Sequence, residues 1–307
     1  MVIQDLESKI RNLINRPRRQ YKFLQDTSAW NQLCSCLDVI GDNELAVSAY
    51  YDSIPKNIGE TYLLVYGILQ TLFVQQDAVR YLCEALGIEY NPDPGLQKIR
   101  EIRNDSIGHP TKRIFKKMPT WNFISRTSLS KNGFQLMVRF ADSNLPKFIN
   151  IDLLEIIKTQ NVKVTDVLSS VLKLLEDEEN EHKEKFMSQK LSEIFPAALG
   201  YFFSKISEAI YGNMPNELGS GTLKLIKDII EQFEKALIER EIIPASDSIK
   251  YDIDQLRYPI SELEKYFNDQ SQTSLNSKGA YIFLFFIEKQ TEKLKELAKE
   301  IDENYSS

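Results

Sequence analysis

The chain has 307 residues, of which 42% are hydrophobic and 27% are charged, and its formal net charge is −6. This composition is typical of a globular protein and excludes collagen-like and intrinsically disordered chains. The negative charge argues against a protein that binds nucleic acid over its whole surface, and no apolar run approaches the roughly 20 residues that span a bilayer.

The three cysteines, Cys34, Cys36 and Cys83, are too few for a disulfide framework. With no recognisable signal peptide, they favour a reducing compartment, so we expect a cytoplasmic protein. Cys34 and Cys36 lack the second pair of ligands that structural zinc requires. We therefore expect no metal and no other cofactor.

Positive charge is concentrated in two segments of the chain. Residues 9–22 contain six basic residues and no acid, and residues 96–118 contain seven basic residues against two acids. Focused positive charge attracts a phosphate backbone. Two solvated helix faces would give the same pattern, so charge alone leaves both interpretations open.

The predicted elements are mostly helical. Helices are expected over residues 2–15, over 28–50 with a break near Gly41, and over 58–86, where the sequence is apolar nearly all the way round and therefore central. After the break at 91–95, a short amphipathic helix begins at Leu96.

Residues 120–151 change to a two-residue alternation that predicts a three-stranded antiparallel meander with a hairpin turn at Lys131-Asn132-Gly133. Helical periodicity then returns. The charged stretch 176–185 is predicted to be a solvated helix or a linker, with His182 as a surface histidine. Further helices are expected over 190–238 and 260–303, with prolines such as Pro259 between them.

The fold class is thus mainly α, with a small antiparallel β-meander insertion and a C-terminal helical region. We place a first domain at residues 1–180 and a second at 181–307.

One short motif carries a chemical hypothesis. Arg103 and Asn104 lie at the end of the short helix, and His109 follows just beyond its end. A left-handed conformation at Gly108 would reverse the chain, and Pro110 would prevent the helix from continuing. This reversal would bring the arginine and the histidine toward one pocket.

An arginine and a histidine in one site have the chemistry needed to cleave a phosphodiester bond. Histidine titrates near neutral pH and can transfer a proton to or from a reacting oxygen. Arginine holds a phosphate with two parallel hydrogen bonds and keeps its charge. The motif lacks the paired carboxylates of a two-metal nuclease, so cleavage without metal is the expectation.

Arg103-Asn104, four residues and His109 resemble the Arg-x(4–6)-His signature of the HEPN superfamily (higher eukaryote and prokaryote nucleotide-binding domain). The resemblance implies an HEPN-like helical bundle and a metal-independent endoribonuclease that cleaves single-stranded RNA. It also implies a homodimer with a composite active site, acting as a toxin or antiphage defence effector. By this resemblance Arg103 binds the scissile phosphate, His109 transfers protons and Asn104 supports both.

Partners follow from the same resemblance: RNA, a second copy of the chain, and an antitoxin or another defence-system protein, with no membrane. The basic residues near the motif would bind RNA, namely Lys98, Arg100, Lys112, Arg113, Lys116 and Lys117. Thr111 stands where some members have a modifiable tyrosine, which argues against regulation through that residue. Residues of the long central helix that could orient His109 are Glu60, Tyr62, Tyr66, Gln76 and Asp77.

Two alternatives remain open at this stage. The first is a non-catalytic HEPN-like protein that senses RNA or a nucleotide, or that scaffolds a partner. The second is an accidental motif, in which Arg103 pairs with Asp105, with Glu101 or with a neighbouring helix, and His109 caps a carbonyl group.

Overall fold

The computed structural model describes residues 2–115, 118–143 and 145–306. It is mainly helical, with a four-stranded antiparallel sheet. The chain forms two compact units. The first comprises Met1–Asn15 with Lys22–Glu176, and the second comprises Arg16–Tyr21 with Asp177–Ser307.

The helices begin and end as follows: α1 Ile3–Ile14, α2 Pro17–Leu24, α3 Thr27–Asp52, α4 Ile58–Ala85, α5 Pro94–Arg103, α6 Leu153–Met187, α7 Leu199–Ile210, α8 Asn216–Glu239, α9 Asp247–Asn268 and α10 Ser277–Ser306. The strands are β1 Arg113–Phe115, β2 Met118–Ile124, β3 Gly133–Phe140 and β4 Lys147–Asp152. A π-helical turn, Asn104–Gly108, follows α5.

Helix α3 runs without the break predicted near Gly41. A glycine in a helix interior costs about 1 kcal/mol relative to alanine. The apolar residues on either side outweigh this cost, because Leu37, Ile40 and Val47 are all buried in the core of the first unit. The break was therefore predicted wrongly from a local signal that tertiary packing overrides.

Helix α4 contributes one buried face to the core of the first unit. The sequence predicted burial nearly all the way round, but Leu63 and Tyr66 are exposed. The helix begins at Asn57, whose side chain accepts a hydrogen bond from the Glu60 amide at 3.0 Å. Val65, Leu69 and Leu72 are completely buried along it, and the helix packs along α3.

A buried amide network joins α4 to α6 and α3. Gln160 of α6 donates to the Leu72 carbonyl at 2.8 Å and to Gln75 Oε1 at 3.0 Å, and it accepts from Gln76 Nε2 at 2.7 Å. Gln75 in turn donates to Glu44 of α3 at 2.7 Å. Polar groups inside a core need defined partners, so this network fixes the position of α4 against its neighbours.

The sheet has four strands in the order β1-β2-β3-β4, one more than the sequence predicted. The extra strand β1 is only three residues long, too short to show an alternation. The predicted hairpin turn forms, since Ser130 and Gly133 pair across Lys131 and Asn132. Strand β2, however, ends at Ile124 instead of continuing to the turn.

The alternation in β3 points Phe134, Leu136 and Val138 into the core of the first unit. The hairpin tip binds the end of α3, because Lys131 Nζ donates to the carbonyl groups of Tyr51 at 2.8 Å and Ser53 at 2.7 Å. The sheet is thus attached to the helical core at two places.

The second unit buries its own apolar cluster, with Phe233 completely enclosed. Pro259 lies inside α9 instead of between helices. A proline in a helix interior costs about 3 kcal/mol, and here it sits on the buried face with Leu256, Ile260 and Leu263. The packing of that face explains why the helix continues through the proline.

The charged segment 176–185 is helical, as one of the two predictions for it stated, and it forms the last part of α6. His182 is half-buried, so its prediction as a surface residue was wrong. Its ring packs with Phe186 at 5.2 Å and with Tyr305 at 5.8 Å between centroids. The surrounding acidic and basic residues concealed this apolar contact in the sequence.

Within the described ranges, no helix has the length and apolar character needed to cross a membrane.

Replacing Gln160 with leucine should lower the free energy of unfolding of the protein by about 1–3 kcal/mol, because buried amide groups of Gln75 and Gln76 would lose a partner. Chemical denaturation monitored by circular dichroism measures this change. The control Gln97→Leu removes an exposed amide whose bond to the Pro92 carbonyl is 3.3 Å long, and it should change stability by less than about 0.5 kcal/mol. Equal effects of the two substitutions would contradict the structural role of the network.

Candidate functional site

The short helix α5 is defined by signals at both ends. Asp93 caps its start by accepting a hydrogen bond from the Gly95 amide at 2.7 Å, and Pro94 occupies the first turn. Leu96 and Ile99 are buried, and the helix packs against α4. This packing places the last turn of α5, with its two arginines, beside α4.

Arg100 and Arg103 are three residues apart and share one face of α5. Both guanidinium groups lie over the ring of Phe73 on α4, with Cζ at 4.0 Å and 4.3 Å from its centroid. Cation–π contacts of this kind stabilise a guanidinium without neutralising it. Arg100 also pairs with Asp77 at 2.9 Å.

The half-buried side chain of Arg103 is held by neutral groups. Its Nε and Nη2 donate to Gln70 Oε1 at 3.1 Å and 2.6 Å, and its Nη1 donates to Asn104 Oδ1 at 2.9 Å. No carboxylate of the described chain lies at salt-bridge distance from it. Arg103 is therefore oriented, and its charge is left for an anion.

The chain turn after α5 differs from the prediction. Gly108 does not take the left-handed conformation. Instead the helix ends in the π-helical turn, which the His109 amide closes by donating to the Asn104 carbonyl at 2.7 Å. Wider turns of this kind are frequent at functional sites.

The missing side chain of Gly108 matters for the position of Arg103 and not for a left-handed turn. A Cβ atom at this position would lie 2.6 Å from Arg103 Nη1 and 3.2 Å from Asn104 Oδ1. The glycine thus lets the guanidinium lie directly against the backbone that leads into His109. The turn brings Arg103 close to the residue that precedes the histidine.

The His109 side chain is exposed and forms no hydrogen bond within the described chain. Arg103 and Asn104 are joined directly, whereas His109 is joined to Asn104 only through its main-chain amide. The imidazole is therefore accessible to a ligand and has no orienting partner from the described residues of its own chain.

A charged cluster attaches the turn to the sheet. Asp105 pairs with Arg113 of β1 at 2.5 Å and accepts from Asn122 Nδ2 of β2 at 3.3 Å. The Asn122 amide also donates to the Pro110 carbonyl at 2.8 Å. Since Asp105 binds Arg113, Arg103 pairs with neither Asp105 nor Glu101. Of the partners expected for an accidental motif it has the neighbouring helix, because it binds Gln70 of α4.

The six residues predicted to bind RNA fall into three groups. Arg100 and Arg113 are engaged with Asp77 and Asp105, as described above. Lys98 and Lys112 are exposed, and neither has a partner within the described parts of the chain. Lys116 and Lys117 lie outside the described residues.

The residues of α4 that were predicted to orient His109 contact other groups instead. Glu60 accepts from the Lys56 amide at 2.6 Å, Tyr62 and Tyr66 pack edge to face, and Gln76 belongs to the buried amide network. Asp77 binds Arg100 instead of the histidine. The partners of Arg103 on this helix, Gln70 and Phe73, were missed, although with Asp77 they follow the helical repeat along one face.

A cavity of about 590 Å³ lies beside Arg100 and is lined also by Arg80, Glu84 and Tyr90. Neither Arg103 nor His109 contributes to it. The motif residues are therefore not part of this cavity.

Comparison with family models, with curated proteins and with solved structures gave no match to this chain.

Replacing Gln70 with leucine should release the Arg103 side chain, because two of its three hydrogen bonds go to that amide. In the parent protein we expect the Arg103 Nε proton to exchange slowly with water, and in Gln70→Leu to exchange about as fast as the Nε proton of exposed Arg126. Arginine side-chain NMR measures both in one sample. Slow exchange of Arg103 in the variant would show that Gln70 does not hold it.

Proposed function

We propose that the protein is a metal-independent endoribonuclease of the HEPN type that works as a homodimer on single-stranded RNA. The observation that carries the proposal is the Arg103 guanidinium, which is fixed by neutral amides and an aromatic ring without a neutralising carboxylate at salt-bridge distance in the described chain. A cation held in this way is prepared to bind a phosphate.

In this mechanism each group has a separate task. Arg103 binds the non-bridging oxygens of the scissile phosphate and stabilises the charge that develops there. One His109 removes the proton of the 2′-hydroxyl as its oxygen forms a bond to phosphorus, and a second His109 protonates the departing 5′-oxygen. The products are a 2′,3′-cyclic phosphate and a free 5′-hydroxyl.

A dimer would supply the catalytic groups that a single copy of the motif lacks. A single exposed His109 has no group from the described part of its own chain to set its orientation or to share the two proton transfers. A two-fold dimer with both motifs in one cleft would provide an acid, a base and two guanidinium groups. Lys98 and Lys112, both exposed and unpaired within the described residues, would extend the contact along the RNA.

The biological role that fits this activity is a toxin or antiphage defence effector controlled by an antitoxin or another defence protein. This assignment rests on the resemblance of the motif alone. The alternative is a protein of the same shape that binds RNA or a nucleotide without cleaving it, and the unoriented His109 favours it. Both functions use Arg103, and only cleavage needs the imidazole.

The protein should cleave end-labelled single-stranded RNA in EDTA and leave 2′,3′-cyclic phosphate ends. His109→Ala should reduce the rate by about 10²–10⁴-fold while RNA binding persists, and Arg103→Ala should weaken both. The control Arg126→Ala removes an exposed arginine of the same unit and should cleave like the parent. Binding by the folded parent without any product would favour the non-catalytic alternative, and equal cleavage by His109→Ala would overturn the site.

The rate per chain should depend on protein concentration. Below the dimer dissociation constant, dilution should lower the cleavage rate per chain in proportion to concentration, because a composite site needs two copies. Sedimentation of the same samples measures the dimer fraction. A constant rate per chain in samples that sediment as monomers would exclude the composite site and would leave cleavage by a single chain.

A further inference from the structure

The second unit contains a cavity of about 520 Å³, within the roughly 300–1,000 Å³ range of small-molecule sites. Cationic, aromatic and apolar side chains line it together. The charged and titratable lining residues are Arg16, Arg18, Glu179, His182, Lys183 and Arg240. The cavity lies apart in sequence from the Arg103 motif and shares no residue with it.

Arg240 is the most informative residue of this cavity because it is only 3% exposed. Its Nη1 donates to the Ala236 carbonyl at 3.1 Å and its Nη2 to the Gln189 carbonyl, and its Cζ lies 4.7 Å from the centroid of the Phe186 ring. Across the described residues, no carboxylate lies at salt-bridge distance from it.

A buried guanidinium without a counter-ion is costly to a folded protein. Burial lowers the pKa of Arg240, and Tyr305, Asp302 and Glu239 oppose this effect only in part. The Asp302 carboxylate accepts from the main-chain amides of Leu191 at 2.8 Å and Ser192 at 2.9 Å. It keeps its charge, but it is not at salt-bridge distance from Arg240 among the described residues, so it offsets the Arg240 charge only in part. An anion bound in the cavity would supply the missing charge.

His182 adds an aromatic ring to the lining, and this ring packs with Tyr305. Its Nε2 is buried and has no hydrogen-bond partner in the described chain. A nitrogen that solvent does not reach is not open to a ligand in the cavity, so His182 contributes its ring surface to the lining.

The other cations of the cavity divide into paired and unpaired ones. Glu179 binds Arg16 at 2.9 Å and Arg18 at 3.0 Å, and Arg18 also pairs with Glu241 at 3.2 Å. Lys183 has no such partner among the residues that the structure describes. Lys183 and Arg240 are therefore the cations that an anionic ligand would meet without competition from a bound carboxylate.

The remaining lining is suited to an apolar or aromatic group. Tyr305 contributes an aromatic ring, and Ile242, Ile249 and Ile301 contribute aliphatic side chains. Ser246 and Asn304 add polar atoms at the same cavity. A ligand that combines a phosphate with a planar ring would use both halves of this lining.

We propose that this cavity binds a nucleotide, with a phosphate group at Arg240 and Lys183 and the base against Tyr305 and the isoleucines. The inference goes beyond the proposed ribonuclease activity and does not rest on it. It assigns a ligand site to the unit that lacks the Arg103 motif.

Isothermal titration calorimetry of the full chain with ATP in EDTA tests the proposal. We expect saturable binding of one ATP per chain, at least tenfold weaker binding of adenosine, and weak but competitive binding of inorganic phosphate. Lys183→Gln should weaken ATP binding at least tenfold. The control Lys224→Gln, an exposed lysine of the same unit, should bind ATP like the parent. Arg103→Ala, measured beside it, reports whether the nucleotide binds at the Arg103 site instead.

Arg240→Met should abolish ATP binding, with circular dichroism to establish that it is folded. If it does not fold, Lys183→Gln carries the test, since Lys183 is less buried than Arg240. The proposal is overturned if millimolar ATP gives no saturable heat, if adenosine binds as tightly as ATP, or if Lys183→Gln binds ATP like the parent. Loss of binding in Arg103→Ala alone would place the nucleotide at the other site and would also overturn it. None of these outcomes depends on RNA cleavage.

Discussion

The Arg103 guanidinium rests on an aromatic ring and on two neutral amides, and this contact is what the functional account depends on. A carboxylate in place of Gln70 would hold the side chain more strongly and would also neutralise it. Amide oxygens accept the same hydrogen bonds but leave the positive charge available. The Arg103 guanidinium is therefore held in one orientation, and its positive charge is not neutralised by a carboxylate. Phosphate binding requires both properties.

The rest of the first unit maintains that contact. Gln70 and Phe73 lie on α4, and the buried network of Gln75, Gln76 and Gln160 holds α4 against α3 and α6. Neighbouring acids are used by other arginines, since Asp77 binds Arg100 and Asp105 binds Arg113. As a result, the arginines before and after Arg103 in the basic segment are paired with carboxylates, whereas Arg103 is not.

The two units show the same physical feature in different surroundings. In the first, half-buried Arg103 is held by neutral groups, and His109 at the end of the same turn is exposed. In the second, buried Arg240 is held by main-chain carbonyl groups and lines a cavity. Neither arginine has a carboxylate at salt-bridge distance within the described residues.

The sequence predicted most helices, because long segments with a clear apolar repeat leave little choice of structure. It predicted the breaks less well: Gly41 and Pro259 are strong local signals that packing overrides. The motif residues were found from their types and spacing, but their partners were not. Gln70 and Phe73 are separated from Arg103 by about thirty residues, and only the folded chain shows which face of α4 meets α5. His182 was misjudged for a related reason, since its contact with Tyr305 joins distant parts of the chain.

The central claim is that Arg103 and His109 bind one RNA phosphate. A crystal structure of the protein with a short RNA that carries a 2′-deoxy substitution at the cleavage position tests this claim most directly, because the substrate cannot react. The account predicts a phosphate within hydrogen-bond distance of the Arg103 guanidinium, about 3 Å, with imidazoles of His109 from two copies on either side of it. RNA bound elsewhere, or a phosphate at Arg103 with both imidazoles turned away, would contradict the account.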